Sequence, residues 1–172
     1  AYNYDPDSLG ILDRTLFKYY DADINSGKIT RERAKEYLQE LFLMLQARTH
    51  INAMQFTRGG ESHFCIGGYL PDESDGFNDL SMLILEALTE LPTYIPQVSL
   101  RWTPKLPFET FKKVMDFERK DKNKRIAFVN DVPKLARYLS RGDLTNEKAV
   151  SYSTVGCNEC AFPGGFVGGT SN

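Results

Sequence analysis

A thiol and a carboxylate stand two residues apart in the segment Val155-Gly156-Cys157-Asn158-Glu159 of this 172-residue chain. Both groups can take part directly in a reaction, the carboxylate as a general base. Alternate residues of extended backbone point to the same side, so Cys157 and Glu159 could address one pocket. They are the candidate catalytic residues. On spacing alone, a surface turn that happens to contain Cys and Glu is the simpler interpretation.

Cys157 also forms a C-x-x-C pair with Cys160. A redox pair of the thioredoxin type is usually followed by a helix whose N-terminus lowers the thiol pKa. Here Ala161-Phe162-Pro163-Gly164-Gly165 follows and blocks a continuing helix. A structural zinc site would need a second pair of ligands, and the remaining Cys and His residues show no recognisable spacing. Redox and zinc functions are therefore disfavoured.

Four residues fall at positions 1, 3, 5 and 12 of a calcium-binding loop: Asp21, Asp23, Asn25 and Glu32. The pattern also needs glycine at position 6 and an apolar residue at position 8, whereas Gly27 and Ile29 stand one place late. This slip would misaim the last carboxylate, so a polar turn between helices is favoured. The paired glycines match neither G-x-G-x-x-G nor a P-loop, and no nucleotide site is predicted.

The composition, 41% hydrophobic and 26% charged, is that of a soluble globular domain. A net charge of −2 argues against a nucleic-acid partner. The densest basic run, Arg119 to Arg125, is interrupted by Asp121 and Asn123 and indicates a solvated helix end. No stretch approaches the roughly 20 apolar residues that span a membrane, and no signal peptide is visible. Three cysteines favour a reducing, cytoplasmic setting over a disulfide framework.

Hydrophobic periodicity predicts several helices: Leu9–Tyr20, one that Thr30 caps, Leu80–Leu91 with Asp79 as its cap, Phe108–Arg119, Val132–Leu139 and Thr145–Tyr152. The first two form an αα-hairpin through Asp21–Ile29. Strands are predicted at His63–Ile66, Val98–Trp102, Ile126–Val129 and Thr154–Val155. Strands and helices alternate four times after residue 60, which is typical of parallel α/β structure.

Six segments form a recognisable series along the chain: Lys28–Glu32, Ile66-Gly67-Gly68, Asn78–Ser81, Pro96–Trp102, Ile126–Asp131 and Val155–Glu159. In this order they resemble the glycyl radical enzyme family, which is the pyruvate formate-lyase-like group, and more closely its C-x-E branch. The likeness spans essentially the whole chain. Several motifs in family order are more specific than any one of them.

The resemblance implies a ten-stranded α/β barrel of two antiparallel half-barrels with flanking helices. Residues 1–172 would be an internal portion of that barrel domain, with a finger loop at about residues 155–165. The chain starts without Met, ends in a glycine-rich stretch and lacks the family's R-V-x-G-Y-like glycyl loop. We therefore expect the remainder of the barrel and the glycyl radical domain to lie elsewhere, and this portion to be inactive in isolation. The resemblance also implies a homodimer.

The same resemblance implies that Cys157 is the thiyl radical site. A glycyl radical, installed by a separate S-adenosylmethionine iron–sulfur activase, would take its hydrogen, and the thiyl would then take hydrogen from a small organic substrate. Glu159 would deprotonate the substrate or assist the leaving group. No cofactor or metal is expected in this segment itself. Cys160 stands where many members of the branch carry proline.

The resemblance implies dehydration or another C–X cleavage, with a hydroxyproline-dehydratase-like activity favoured by the Cys-Asn-Glu form of the motif. Arylacetate decarboxylase, isethionate lyase, diol dehydratase and choline lyase activities stay open as alternatives within the family. From another class, the chain could be a non-catalytic interaction or scaffold piece.

Overall fold

The computed structural model describes residues 8–48, 62–155 and 159–162. The helices are α1 Leu12–Asn25, α2 Arg31–Arg48, α3 Asp79–Thr89, α4 Phe108–Lys120, α5 Asp131–Leu139 and α6 Asn146–Ala149. The strands are β1 His63–Gly67, β2 Gln97–Trp102, β3 Ile126–Asn130, β4 Ser153–Val155 and β5 Glu159–Ala161. Within the described ranges, none of the helices has the length and apolar character needed to cross a membrane.

Strands β1, β2 and β3 form a parallel sheet in that order, with α3 and α4 as the crossover helices. The register places Cys65 beside Ser99 and Gly67 beside Arg101. Parallel neighbours joined by helices are the arrangement that the alternating pattern predicted, so the α/β class is confirmed. A closed ten-stranded barrel is not seen among the residues that the structure describes, and it stays a prediction.

The two faces of the parallel sheet differ in chemistry. One face is apolar and packs under the helices, where Phe64, Val98 and Ile126 join the main core. The ring of Phe42 on α2 stacks on Phe64 at 5.8 Å between centroids. The opposite face carries His63, Cys65, Ser99 and Arg101, all of them buried. Since a buried polar group costs free energy unless it is hydrogen-bonded, this polar face must be covered by partners.

The core is built largely by α3, whose apolar stripe packs between α2, α4 and the sheet. Seven of its residues are buried: Leu80, Ser81, Leu83, Ile84, Leu85, Ala87 and Leu88. Burial of one large aliphatic side chain contributes about 1.5 to 3 kcal/mol. This stripe therefore forms a large part of the apolar core that the parallel sheet shares.

The fourth predicted strand, β4, does not join the parallel sheet. Strand β4 pairs with β5 in an antiparallel hairpin, with Val155 opposite Glu159, and it packs on the polar face of β1. Sequence periodicity did not predict β5. Three-residue strands carry too short a pattern to distinguish from a loop, so only the resemblance pointed to a finger at this position.

Both ends of helix α1 differ from the prediction. Helix α1 starts at Leu12 rather than Leu9, because the preceding residues pair with β1: Leu9 N donates to His63 O, and Cys65 N donates to Gly10 O. It continues to Asn25, so the first acidic residues of the calcium-like pattern lie inside a helix. Asp23 there pairs with Lys28 at 3.0 Å.

The other differences concern caps and the short helix α6. Asn78, not Asp79, caps α3, and its side chain accepts hydrogen bonds from Leu80 N and Ser81 N. Helix α6 ends at Ala149 rather than continuing to Tyr152. The carbonyl groups of Val150 and Tyr152 instead accept hydrogen bonds from arginine side chains, as described below.

Candidate active site

Glu159, one of the two predicted catalytic residues, is the first residue of β5 and its side chain is exposed. It pairs with Val155, the last residue of β4. Cys157 lies outside the described residues, as one of the three residues that join this pair along the chain. The structure therefore describes the two strands that carry the predicted finger, and the position of the thiol is a prediction.

Cys160, the thiol without an assigned role, turns toward α5. Its sulfur lies 3.1 Å from Lys134 Nζ and is partly buried. Burial and a hydrogen bond with this thiol raise the pKa of Tyr138 on the same helix. Successive residues of a strand point to opposite sides. Cys160 therefore faces α5, whereas the exposed side chain of Glu159 lies on the other side of β5.

Strand β4 is attached to β1 through Thr154. The backbone N–H of Thr154 donates to the sulfur of Cys65 at 3.1 Å, and its hydroxyl lies 3.1 Å from the same sulfur. That hydroxyl also lies 3.0 Å from His63 Nε2, which is 2.8 Å from Ser99 Oγ. Burial raises the pKa of the Cys65 thiol, so this sulfur is neutral and serves as a hydrogen-bonding group.

A buried ion pair lies at the carboxyl ends of β2 and β3. Arg101 donates from Nε and Nη2 to the two carboxylate oxygens of Asp131, at 2.9 and 2.7 Å. Both side chains are fully buried. Burial by itself lowers the pKa of Arg101, but the hydrogen bond and charge of Asp131 outweigh it, and the net shift is upward. Arg101 therefore keeps its positive charge although it is buried.

The same guanidinium holds the chain that enters the hairpin. Arg101 Nη1 donates to the carbonyl oxygens of Val150 and Tyr152, at 3.0 and 2.9 Å. Its central carbon lies 3.9 Å from the centre of the Tyr152 ring, and the Tyr152 hydroxyl donates to Asp131. Residues 150–152 are therefore bound through both backbone and side chain. We call Arg101, Asp131 and Tyr152 the clamp.

Gly68 is required by the clamp. Its φ is +83°, a conformation that L side chains rarely adopt, and an added Cβ would lie 2.6 Å from Arg101 Nε and 2.8 Å from an Asp131 oxygen. The next residue, Tyr69, donates its backbone N–H to Asp131 at 2.9 Å. The glycine pair after β1 therefore lets the backbone pass close to the ion pair.

A second polar centre supports the first. The Asp13 carboxylate accepts hydrogen bonds from Gly67 N at 2.8 Å and from Ser81 Oγ. Burial raises its pKa to about 6, although these hydrogen bonds oppose the shift. Its neighbour Arg14 donates to Val150 O at 3.1 Å and to Tyr69 O at 2.9 Å. Helix α1 thus contributes a second arginine to the carbonyl that Arg101 holds.

The contacts bring several segments of the sequence series together. The glycine pair, the arginine of β2, the aspartate after β3 and the chain before Cys157 all meet at the clamp, and Ser81 joins through Asp13. Sequence reasoning did not single out these side chains. A usable signal was present: an arginine inside the apolar strand of residues 97–102 must have a buried partner.

Comparison with known proteins extends these observations. The family model described as "Pyruvate formate lyase-like" matches residues 2–172. A (2S)-3-sulfopropanediol dehydratase of Klebsiella oxytoca is 29% identical over 91% of this chain and 20% of its own length. A trans-4-hydroxy-L-proline dehydratase of Clostridioides difficile is 28% identical over 87% of this chain and 20% of its own length.

A solved structure of a glycyl radical enzyme from Archaeoglobus fulgidus is similar in fold. It superposes with a TM-score of 0.79 at 25% sequence identity, over 91% of this chain and 21% of that one. The chain thus spans about a fifth of the length of the relatives it matches.

Proposed function

Because the chain belongs to the pyruvate formate lyase-like family of glycyl radical enzymes, we propose that it supplies the thiyl residue, Cys157, and the assisting carboxylate, Glu159, of a radical lyase. The observation that carries this proposal is the hairpin. Its strands β4 and β5 pair antiparallel with Val155 opposite Glu159, and Cys157 lies between these two residues in the sequence. The base of that finger is anchored by the clamp on a polar, buried surface.

In the proposed reaction, Cys157 gives its thiol hydrogen atom to a glycyl radical and becomes a thiyl radical. The glycyl radical supplies the unpaired electron and lies in a segment outside this chain. The thiyl of Cys157 then takes a hydrogen atom from a substrate C–H, which leaves a carbon-centred radical. Holding sulfur and substrate close in a water-excluded site favours this transfer.

Glu159 acts on the substrate radical as a general base. As a carboxylate, it accepts the proton of a substrate O–H or N–H and passes it to the departing group, so dehydration releases one water molecule. Cys157 then returns a hydrogen atom to the product radical and recovers one from the glycine. The electron count is restored, and no external oxidant or reductant is consumed.

For the substrate we propose a small hydroxylated molecule, with trans-4-hydroxy-L-proline as the first candidate. The similarity to a hydroxyproline dehydratase and a sulfopropanediol dehydratase supports dehydration as the reaction class. The Cys-Asn-Glu form of the motif in residues 157–159 also favours dehydration. Decarboxylation of an arylacetate is the second candidate, and assays with both substrates on the complete enzyme distinguish them.

The complete enzyme requires further parts. We propose the remainder of a ten-stranded barrel, a glycyl radical domain, a radical S-adenosylmethionine activase and assembly as a homodimer. A cytoplasmic location is proposed because three cysteines suit a reducing compartment. The alternative of a non-catalytic scaffold piece predicts that no glycyl radical and no turnover accompany this chain.

The test uses the complete enzyme, activated anaerobically, with the glycyl radical quantified by electron paramagnetic resonance. We expect Cys157→Ala to abolish turnover while the radical still forms, and Glu159→Gln to block elimination. Cys160→Ala is the matched control, because its thiol contacts α5, and it should retain turnover. Turnover by Cys157→Ala would overturn the thiyl assignment. An activated wild-type chain with no radical and no turnover would favour the scaffold.

A further inference from the structure

We infer that Arg101, Asp131 and Tyr152 are positioning residues for the chemistry of the hairpin. This inference rests on the proposed function, since it concerns the loop that carries Cys157. The clamp binds the chain at residues 150–152, immediately before β4 begins at Ser153. It thereby fixes where β4 begins relative to the carboxyl ends of β2 and β3.

The geometry of Arg101 is suited to this task. Four of its five N–H groups are used, two toward the carboxylate and two toward the backbone of the hairpin's entry. The planar guanidinium therefore relates three segments in one rigid frame: the end of β2, the start of α5 and the chain before β4. Lysine has a single flexible ammonium group and cannot reproduce this relation.

Stability alone would not require a buried ion pair such as the one in the clamp. Removing two charges from water carries a large desolvation cost, and apolar residues of similar volume often serve stability as well or better. A buried, fully hydrogen-bonded pair instead specifies one arrangement of the chain. Asp131 accepts from Arg101, from Tyr69 N and from the Tyr152 hydroxyl, so each of these groups is aligned by the same carboxylate.

Few residues separate the clamp from the proposed reacting thiol in the sequence. Cys157 follows Tyr152 by five residues, and β4 transmits the direction set at its first residue. A misplacement of about 1 Å at a reacting centre can lower a rate by about a hundredfold. A small shift of residues 150–152 is therefore expected to slow hydrogen transfer without removing the thiol.

A second buried ion pair in this chain provides the matched control. Arg125 and Asp121 are also almost fully buried and lie 2.7 Å apart. Arg125 binds the carbonyl oxygens of Leu88 and Leu91, at the end of α3, and stands just before β3 at the opposite end of the strand from Asp131. It has the same chemistry as Arg101, but its hydrogen bonds go to residues far from the hairpin.

The experiment compares Arg101→Lys with Arg125→Lys in the complete, activated enzyme. Turnover is expressed per glycyl radical, quantified by electron paramagnetic resonance, and KM is measured alongside kcat. For Arg101→Lys we expect kcat per radical to fall about tenfold or more, with KM within about twofold of wild type. The deuterium isotope effect for the abstracted substrate hydrogen should equal or exceed the wild-type value. Arg125→Lys should keep the wild-type rate per radical.

A purely structural role gives another pattern. In that case Arg101→Lys lowers the amount of folded or radical-bearing enzyme but leaves the rate per radical unchanged, which would overturn the inference. Equal losses per radical in both variants would overturn it too. Should Arg101→Lys fail to fold, Tyr152→Phe decides, because it keeps the ring and removes only the hydroxyl donated to Asp131. A several-fold loss per radical supports the clamp, and an unchanged rate refutes it.

Failure of the proposed function would look different. An enzyme in which Cys157→Ala turns over normally invalidates the thiyl assignment, whatever the clamp variants do. An enzyme in which Cys157→Ala is inactive but both arginine variants keep their rate per radical retains the function and loses only the positioning role.

Discussion

The sulfur of Cys65 accepts a hydrogen bond from the backbone N–H of Thr154 at 3.1 Å, although 89 residues separate the two in sequence. Both residues are fully buried. A thiol is a weak acceptor, and here it is the group that satisfies a main-chain donor of strand β4. The buried strand β1 therefore holds β4 through the backbone of β4.

Removing this acceptor should loosen the hairpin locally. Cys65→Ala leaves the Thr154 N–H buried without its acceptor, a cost of about 1 to 3 kcal/mol. We expect the Thr154 amide to exchange with deuterium about tenfold faster or more in the complete enzyme. Cys65→Ser keeps an acceptor at nearly the same place and should lose much less protection. Equal exchange in the two variants would contradict the role of the sulfur.

The backbone at Gly68 passes close to the Arg101–Asp131 ion pair, so a side chain at this position should lower the stability of the fold. Gly68→Ala combines an unfavourable positive φ with a Cβ 2.6 Å from Arg101 Nε. We expect destabilisation of more than about 1 kcal/mol, seen as a lower thermal unfolding midpoint of the complete enzyme.

Gly142→Ala is the control for that substitution. Gly142 has a φ of +76° but nothing within 4 Å of an added Cβ, so only the backbone term applies. Its midpoint should fall less than that of Gly68→Ala. A larger fall at Gly142 would mean that the clamp tolerates the extra methyl group.

The structure places Asn78 at the N-cap of α3, whereas the sequence pattern predicted Asp79. Asn78→Ala removes the acceptor for Leu80 N and Ser81 N, at 3.0 and 3.2 Å, and should cost about 0.5 to 2 kcal/mol. The measurement is faster amide exchange at Leu80 and Ser81. Asp79→Asn, which alters the residue that the sequence pattern favoured as the cap, should change exchange less. The reverse order would restore Asp79 as the cap.

The regular elements were largely predictable because hydrophobic periodicity is local. Strands β1 to β3 and helix α4 lie within one or two residues of their predicted bounds. The errors arise where distant partners compete with local preference. Helix α1 loses its first turn to pairing with β1, and α6 is cut short where Val150 O binds Arg101 and Arg14.

The site was predictable only in part, for a similar reason. Cys157 and Glu159 attracted attention as a short motif, whereas the clamp is assembled from single residues of separate elements. Periodicity assigned Arg101 to a strand and left Asp131 between the strand Ile126–Val129 and the helix Val132–Leu139, without pairing the two residues. Only contact in three dimensions shows that the two residues hold the same chain segment.

Asp13 predicts an unusual dependence of stability on pH. Burial raises its folded-state pKa from 3.8 to about 6, so the folded protein binds more protons than the unfolded chain between these values. Stability from this group is therefore present at low pH and is lost as pH rises through about 6. The effect is up to about 3 kcal/mol.

The measurement compares the thermal unfolding midpoints of wild type and Asp13→Asn across pH 4 to 7, because asparagine does not titrate there. The wild-type midpoint minus that of the variant should be highest near pH 4 and should fall as pH rises. A difference that stays constant, or that grows with pH, would show that Asp13 has an ordinary or lowered pKa in the folded state.

The two arginines that reach Val150 bind its carbonyl oxygen and not its side chain. This contact is made through the main chain, so it does not depend on which side chain stands at position 150. Tyr152 differs, because its ring contacts Arg101 and its hydroxyl donates to Asp131. In evolution, position 150 can therefore accept another side chain that fits the smaller core, whereas position 152 needs both an aromatic ring and a hydroxyl.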